Sequence, residues 1–205
     1  MPDHNKTKIA VFISGGGSNL QALIDGVKAG ILSAEIAWVV SSSKKAFGLQ
    51  RAEKEGIESC VFRLKKYSSL EDAGDDLLNK LKEREIDYIA LAGYLKLIPE
   101  NIIKTYRNKI VNIHPALLPN YGGKGMYGHF VHEAVLENKD SESGPTVHLV
   151  DEIYDNGKIL EQIRVPVLAN DTADTLEARV LEQEHRLYPR VLDKLIKGKY
   201  EENNG

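Results

Sequence analysis

Short runs of β-branched and apolar residues alternate with stretches of helical spacing along the whole chain, and that alternation leaves few folds open. Residues 8–13 (KIAVFI) read as a buried strand. A glycine turn comes next, and then SNLQALIDGVKAG sets Leu20, Leu23, Ile24 and Val27 on one helical stripe. EIAWVVS is a second strand, ended by the serines at 41–43. A helix over about 46–55 stops at Gly56, a suitable residue just past a helix end. A short strand at 60–62 precedes an amphipathic helix over about 69–85, striped by Leu77, Leu78 and Leu81. IDYIALAG is a fourth strand, apolar enough for burial on both faces, and KIVNIHP is a fifth. From Gly144 the pattern changes: GPTVHLV and KILEQIRVPV read as strands joined by a short turn, hence an antiparallel pair. A last helix spans about 172–196, with Pro189 expected to kink it. The order predicts an α/β fold: a Rossmann-like, mostly parallel sheet with helices on both faces and an antiparallel C-terminal strand pair. Ligands on such sheets bind at the C-terminal ends of the strands.

A length of 205 residues suits one well-buried core, and no repeat or Pro/Gly-rich linker divides the chain. The net charge of −3 supplies no basic patch for nucleic acid and no polybasic tail for a membrane surface. No apolar run approaches the length of a membrane span, and the opening MPDHNKT lacks the apolar segment of a secretory signal. His4 and the closing EENNG are expected in frayed ends. The single cysteine, Cys60, has no partner for an internal disulfide, which fits a reducing cytoplasm.

Three strand ends carry chemistry. The first is Ser14-Gly15-Gly16-Gly17-Ser18-Asn19, between strand one and helix one. Glycines admit positive φ, and free N–H groups at a helix start favour a phosphate. Ser18 and Asn19 add side-chain donors, or cap the helix. The turn alone is equally compatible with a phosphate site and with an ordinary capped βα connection. No Gly-Lys-Ser/Thr comes after it, Leu20 stands where a dinucleotide fingerprint needs a small residue, and no acidic residue ends strand two. A phosphomonoester fits better than a dinucleotide.

The second is Asn112-Ile113-His114, where alternation puts Asn112 and His114 on one face. An amide donor beside an imidazole suits a reaction in which an oxyanion develops while protons move, although a lone N-x-H is more often a polar strand cap. Pro115 and Pro119 stiffen the connection HPALLPNYGG that leaves the strand. The third is the acidic loop of Asp151, Glu152 and Asp155; a carboxylate beside His114 would orient its ring and raise its pKa. His129 and His132 start a helix, and His148 reads as a satisfied core residue. No histidine and carboxylate set has metal-ligand spacing, so no metal is expected.

With ISGGGSNLQALID, AFGLQRAEKEGI, LAGYLKLIP, IVNIHPALLP, HEAVLEN, TVHLVDEIYDNGKIL and QEHRLYP in this order, the chain resembles the glycinamide ribonucleotide formyltransferases of the folate-dependent formyltransferase superfamily. NIHPALLP marks the superfamily, and SGGGSN with QEH narrows it. The resemblance implies N10-formyltetrahydrofolate as donor, glycinamide ribonucleotide as acceptor, no metal, and a cytoplasmic monomer or weak homodimer. It implies one domain over 1–205, with a phosphate-binding part over about 1–100 and a catalytic and folate-binding part over about 101–205. It assigns catalysis to Asn112, His114 and Asp155, the substrate phosphate to Gly17, Ser18 and Asn19, and the ribose to Glu184. The folate cleft falls to Tyr94, Leu95, Lys96, Leu97, Ile98 and Asn112, with backbone contacts from the loop of Val150, Asp151 and their successors to 155. The mechanism it implies is direct attack through a tetrahedral intermediate, its oxyanion held by Asn112 and a protonated His114. Hydrolysis of the formyl-folate and formylation of initiator tRNA are the rival reactions on this scaffold; a non-catalytic phosphate-binding module is the rival of another class. Two departures stand out. The stretch GGKGMYGHFV after Tyr121 is longer than the family pattern, and a basic residue for the folate tail has no clear match near Leu70, where Lys65 or Lys66 is the nearest substitute.

Overall fold

The computed structural model describes residues 6–200, so His4 and the EENNG end lie outside it. Five parallel strands come first: β1 (Thr7–Ile13), β2 (Ala34–Ser41), β3 (Ser59–Val61), β4 (Tyr88–Leu91) and β5 (Ile110–His114). Later come β6 (Glu142–Ser143), β7 (Thr146–Leu149), β8 (Ile159–Gln162) and β9 (Val165–Pro166). The main sheet runs β3-β2-β1-β4-β5-β7-β8, with β7 antiparallel to β5 and β8 antiparallel to β7. The helices are α1 (Ser18–Lys28), α2 (Gly48–Lys54), α3 (Leu70–Glu83), α4 (Glu100–Thr105), α5 (His129–Glu137) and α6 (Ala173–Ile196).

Alternation along β1 explains its unbroken apolar run. Ile9, Val11 and Ile13 pack with Leu20, Leu23 and Ile24 of α1 and with Leu187, Val191 and Leu192 of α6. Ala10 and Phe12 point the other way, into Leu77 and Leu81 of α3 and Ile102 of α4. Both faces are covered, so neither needs polar residues. Chain order reverses on either side of β1, which pairs with β2 on one edge and β4 on the other. The loops leaving β1 and β4 therefore diverge and open a crevice at the strands' C-terminal ends.

Two helix starts are capped by side chains. The Ser69 side chain caps α3 through Asp72 N, and Thr172 with Thr175 forms a reciprocal capping box on α6. Three features depart from expectation. The stretch KILEQIRVPV is not one strand: β8 pairs with β7, whereas β9 crosses to β6 in a separate two-stranded sheet. The break lies where Gly144, at φ +142°, passes so close to Ile163 that a Cβ would sit 1.8 Å from its carbonyl oxygen. Helix α4 and a 3-10 turn over Leu64–Lys66 had no sequence reading, because six and three residues are too few for periodicity to register.

Tyr188 anchors α6 to the sheet. Its fully buried hydroxyl shares one proton between the carbonyls of Leu91, at 2.9 Å, and Val111, at 3.0 Å. Tyr188→Phe should cost about 1–3 kcal/mol, read as a lower denaturant midpoint at unchanged slope. An unmoved midpoint would mean that the sheet ladder alone satisfies those carbonyls.

Candidate active site

The turn after β1 is stitched on several sides. Gly17 is the N-cap residue of α1 at φ +71°, a left-handed conformation that glycine adopts without strain, and no side chain caps the helix. Ser14 Oγ accepts from the backbone N–H of Leu95 at 2.8 Å and from Ser42 Oγ at 2.7 Å, which joins this turn to the loop after β4. The capping role open to Ser18 and Asn19 is not taken. Asn19 instead donates its amide to Glu184 Oε2 at 2.5 Å, across the α1–α6 contact.

Glu184 is 6% exposed, and burial pushes its pKa up to about 7, against the lowering effect of Asn19 and with a small addition from Glu177. An acid whose folded pKa is raised loses folding stability as pH climbs from the unfolded value to the folded one, because the unfolded chain sheds its proton first. For Glu184 that window runs from 4.5 to about 7. Across it, Glu184→Gln should gain on wild type by up to about 3 kcal/mol and hold the gain above it. Denaturant midpoints of both proteins near pH 4 and near pH 8 test this. A difference independent of pH would show that Glu184 is ionised when folded.

The end of β5 brings the predicted constellation together. His114 (4% exposed) has Nδ1 3.7 Å from Asp155 Oδ2. Asn112 Nδ2 donates to His148 Nε2 at 3.1 Å and lies 3.5 Å from Asp155 Oδ1, at the outer limit of a hydrogen bond. Asp155, in the left-handed region at φ +53°, also accepts the backbone N–H of Gly123 at 2.9 Å. Burial pushes its carboxyl up, but His148, His114 and the Gly123 N–H together outweigh that and hold it below the ordinary carboxylate value.

Two partners escaped the sequence reading. His148 stands opposite Asn112 in the β5–β7 register, donates Nδ1–H to the carbonyl of Leu149 at 2.8 Å, and places Nε2 beside both the Asn112 amide and Asp155 Oδ1, the latter at 3.5 Å. Its signal was a histidine inside a strand whose four residues are all buried. Tyr121, also left-handed at φ +56°, accepts His114 Nε2–H on its carbonyl at 2.8 Å. A carbonyl cannot donate, so the His114 proton sits on Nε2 and Nδ1 is the nitrogen that titrates. The Tyr121 ring is pinned by Asp140 at 2.6 Å and Asn138 at 2.7 Å. The long stretch after Tyr121 is therefore part of the constellation, since Tyr121 and Gly123 hold His114 and Asp155.

One expectation is corrected. Asp155 does favour the charged imidazole, but burial is the larger effect and leaves the His114 pKa below its ordinary value. At neutral pH His114 is a neutral base in the resting protein and not a standing cation.

The segment expected to line a folate cleft leaves β4 beside this constellation. Tyr94 packs edge-on against Phe12 at 5.3 Å, and Ile98 is buried. Leu95, Lys96 and Leu97 are exposed. Val150 comes directly after β7, and Asp151 folds its carboxylate back onto the backbone N–H of Ile153 at 2.9 Å. Ile153 and Tyr154, further along the same loop, are exposed apolar side chains. Lys65 and Lys66 lie exposed in the 3-10 turn. Among the described residues, one set of histidine and carboxylates comes close enough to share an ion: His129, Asp174 and Glu177, at the starts of α5 and α6. Both ring nitrogens of His129 face carboxylates, Glu133 on one side and Asp174 and Glu177 on the other.

The chain is similar to known proteins over most of its length. The formyl transferase family model matches residues 7–192. A chloroplastic phosphoribosylglycinamide formyltransferase of Vigna unguiculata is 46% identical over 93% of the chain, which spans 61% of that protein. A phosphoribosylglycinamide formyltransferase of Haemophilus influenzae is 40% identical over 94% of the chain and 88% of its own length. The crystal structure of glycinamide ribonucleotide transformylase 1 from Symbiobacterium toebii superposes with a TM-score of 0.88 at 35% identity, covering 94% of this chain and 89% of that one.

Proposed function

The chain belongs to the formyl transferase family, and from that premise we propose that it moves the formyl group of N10-formyltetrahydrofolate onto the amine of glycinamide ribonucleotide, giving formylglycinamide ribonucleotide in de novo purine synthesis. The observation that carries this reading is the convergence of Asn112, His114 and Asp155 at the end of β5, in the same parallel sheet whose β1 ends in a glycine turn suited to a phosphate. We read the chain as one domain over 1–205. Its parts over about 1–100 and 101–205 both reach the site, since Asn19 meets Glu184 across them.

The exposed apolar side chains of Leu95 and Leu97 after β4, and of Ile153 and Tyr154 after β7, suit a flat heteroaromatic ring. When bound, the folate supplies the formyl carbon. Gly17, Ser18 and Asn19 hold the substrate phosphate by backbone N–H groups, and Glu184, protonated at neutral pH or below, offers a hydrogen bond to the ribose. One Asn112 N–H is committed to His148; the other, weakly engaged by Asp155, turns to the developing oxyanion. His114 Nδ1 takes the proton released by the attacking amine, directly or through water, and Asp155 stabilises the imidazolium so formed; as the bond between the formyl carbon and the folate nitrogen breaks, that proton passes on to the departing nitrogen, which leaves His114 neutral again. No covalent enzyme intermediate is required, because holding both reactants in contact supplies much of the acceleration. Cys60, its thiol pushed up to about 11 by burial, takes no part. We place the protein in the cytoplasm; no described helix is long and apolar enough to cross a membrane.

The test is a spectroscopic assay of formyl-folate consumption with glycinamide ribonucleotide and with water alone. Consumption that depends on the amine is expected. Equal rates without it would make the protein a hydrolase and overturn the proposal.

A further inference from the structure

The glycine turn that receives the phosphate contains no lysine or arginine, so its backbone N–H groups face a dianion without a full positive charge of their own. The nearest one comes from α2. Arg51 donates Nε–H to the carbonyl of Gly16 at 2.9 Å and one N–H of its guanidinium to Gln21 Oε1 at 3.1 Å, and its charged end lies 5.1 Å from the centre of the Phe47 ring. Helix α2 cannot drift from the turn: Gly48 N–H donates to the Gly15 carbonyl at 3.1 Å, and a Cβ on Gly17 would stand 2.7 Å from Gly48 Cα. The guanidinium is thus fixed from both sides of the turn. It has five N–H donors and spends two here, and no carboxylate pairs with it among the described residues. Asp25 is the nearby acid, and its carboxylate is taken by Gln21 Nε2 at 2.9 Å, one amide removed from Arg51.

A cavity of about 410 Å³ opens from Ser18 past Arg51 to His185 and Arg190. His185 Nε2 is buried there with no hydrogen-bond partner, and burial together with the charge of Arg51 holds that imidazole below its ordinary pKa. An oriented arginine with three unspent donors, beside the start of α1 and on the wall of a cavity, has the chemistry of an anion site.

We propose that Arg51 is the cation that meets the substrate phosphate and makes the enzyme prefer a phosphomonoester over the corresponding riboside. This rests on the formyl-transfer reading above. Charge-assisted hydrogen bonds of this kind correspond to roughly 10- to 150-fold in binding. Arg51→Gln should therefore raise the KM for glycinamide ribonucleotide roughly 10- to 150-fold while kcat and the KM for formyl-folate stay near wild type. Arg51→Lys, which keeps the charge and loses the fork, should recover part of the loss.

The discriminating experiment compares kcat/KM for glycinamide ribonucleotide and for its dephosphorylated riboside in wild type, Arg51→Gln and Arg51→Lys, with inorganic phosphate titrated calorimetrically into each. The ribonucleotide preference should shrink in Arg51→Gln because the ribonucleotide suffers and the riboside does not. Phosphate should bind wild type and lose affinity in Arg51→Gln. Equal losses for both substrates would show that Arg51 only braces the turn, and an unchanged ribonucleotide KM with unchanged phosphate affinity would remove it from the site; either overturns the proposal. Absence of turnover in wild type would instead sink the formyl-transfer reading, and the phosphate titration would still decide for or against Arg51.

Discussion

Asp155→Asn should fold and bind both substrates, yet lose about 10² to 10⁴ in kcat. Asparagine tolerates the left-handed backbone at φ +53° and can still accept the Gly123 N–H, so the loop has no reason to collapse. What disappears is the negative charge 3.7 Å from His114 Nδ1. Burial already holds the His114 pKa below its ordinary value, and Asp155 is the main influence opposing that. Without it the pKa falls further, and the imidazole becomes a poorer acceptor for the amine's proton. The acid limb of the kcat profile, set by protonation of His114, should move to lower pH while the plateau drops. In a background lacking His114 the same change should have little further effect, because residues that act as a unit are non-additive. Steady-state kinetics across pH on the single and double mutants measure all of this. A plateau unchanged in Asp155→Asn would make Asp155 a structural loop residue.

Asn112→Ala should lower kcat by about 10² to 10³, the usual loss for one oxyanion donor, with substrate binding largely kept. The geometry adds a second expectation. Asn112 gives one N–H to His148 Nε2, so His148 decides which way the amide faces. Replacing His148 with phenylalanine should reproduce part of the Asn112→Ala defect in kcat and add little to it in the double mutant. Near-normal turnover in a folded Asn112→Ala protein would take Asn112 out of the mechanism.

The parallel strands were legible because both of their faces are apolar, and α6 because its helical pattern runs over many turns. Asn112 and His114 were legible as a pair because strand alternation is local. Their partners were not. His148 meets Asn112 through an antiparallel register 36 residues away, and Tyr121 meets His114 through a backbone carbonyl that every residue type possesses. The sign of the His114 shift was also beyond reach. Sequence proposes the carboxylate neighbour but says nothing of the burial that outweighs it. Arg51 lay within a fragment used for recognition, and its orientation toward Gly16 depends on how α2 docks against the turn.

His114 rests neutral with its proton on Nε2 and works through Nδ1 against Asp155. Nitrogen-edited NMR titration of the His114 ring, in wild type and Asp155→Asn, reads both properties. The Nε2–H tautomer is expected, with a wild-type pKa below the ordinary imidazole value and a lower one still in the mutant. A neutral ring protonated on Nδ1, or a pKa that stays or rises when Asp155 loses its charge, would contradict this assignment.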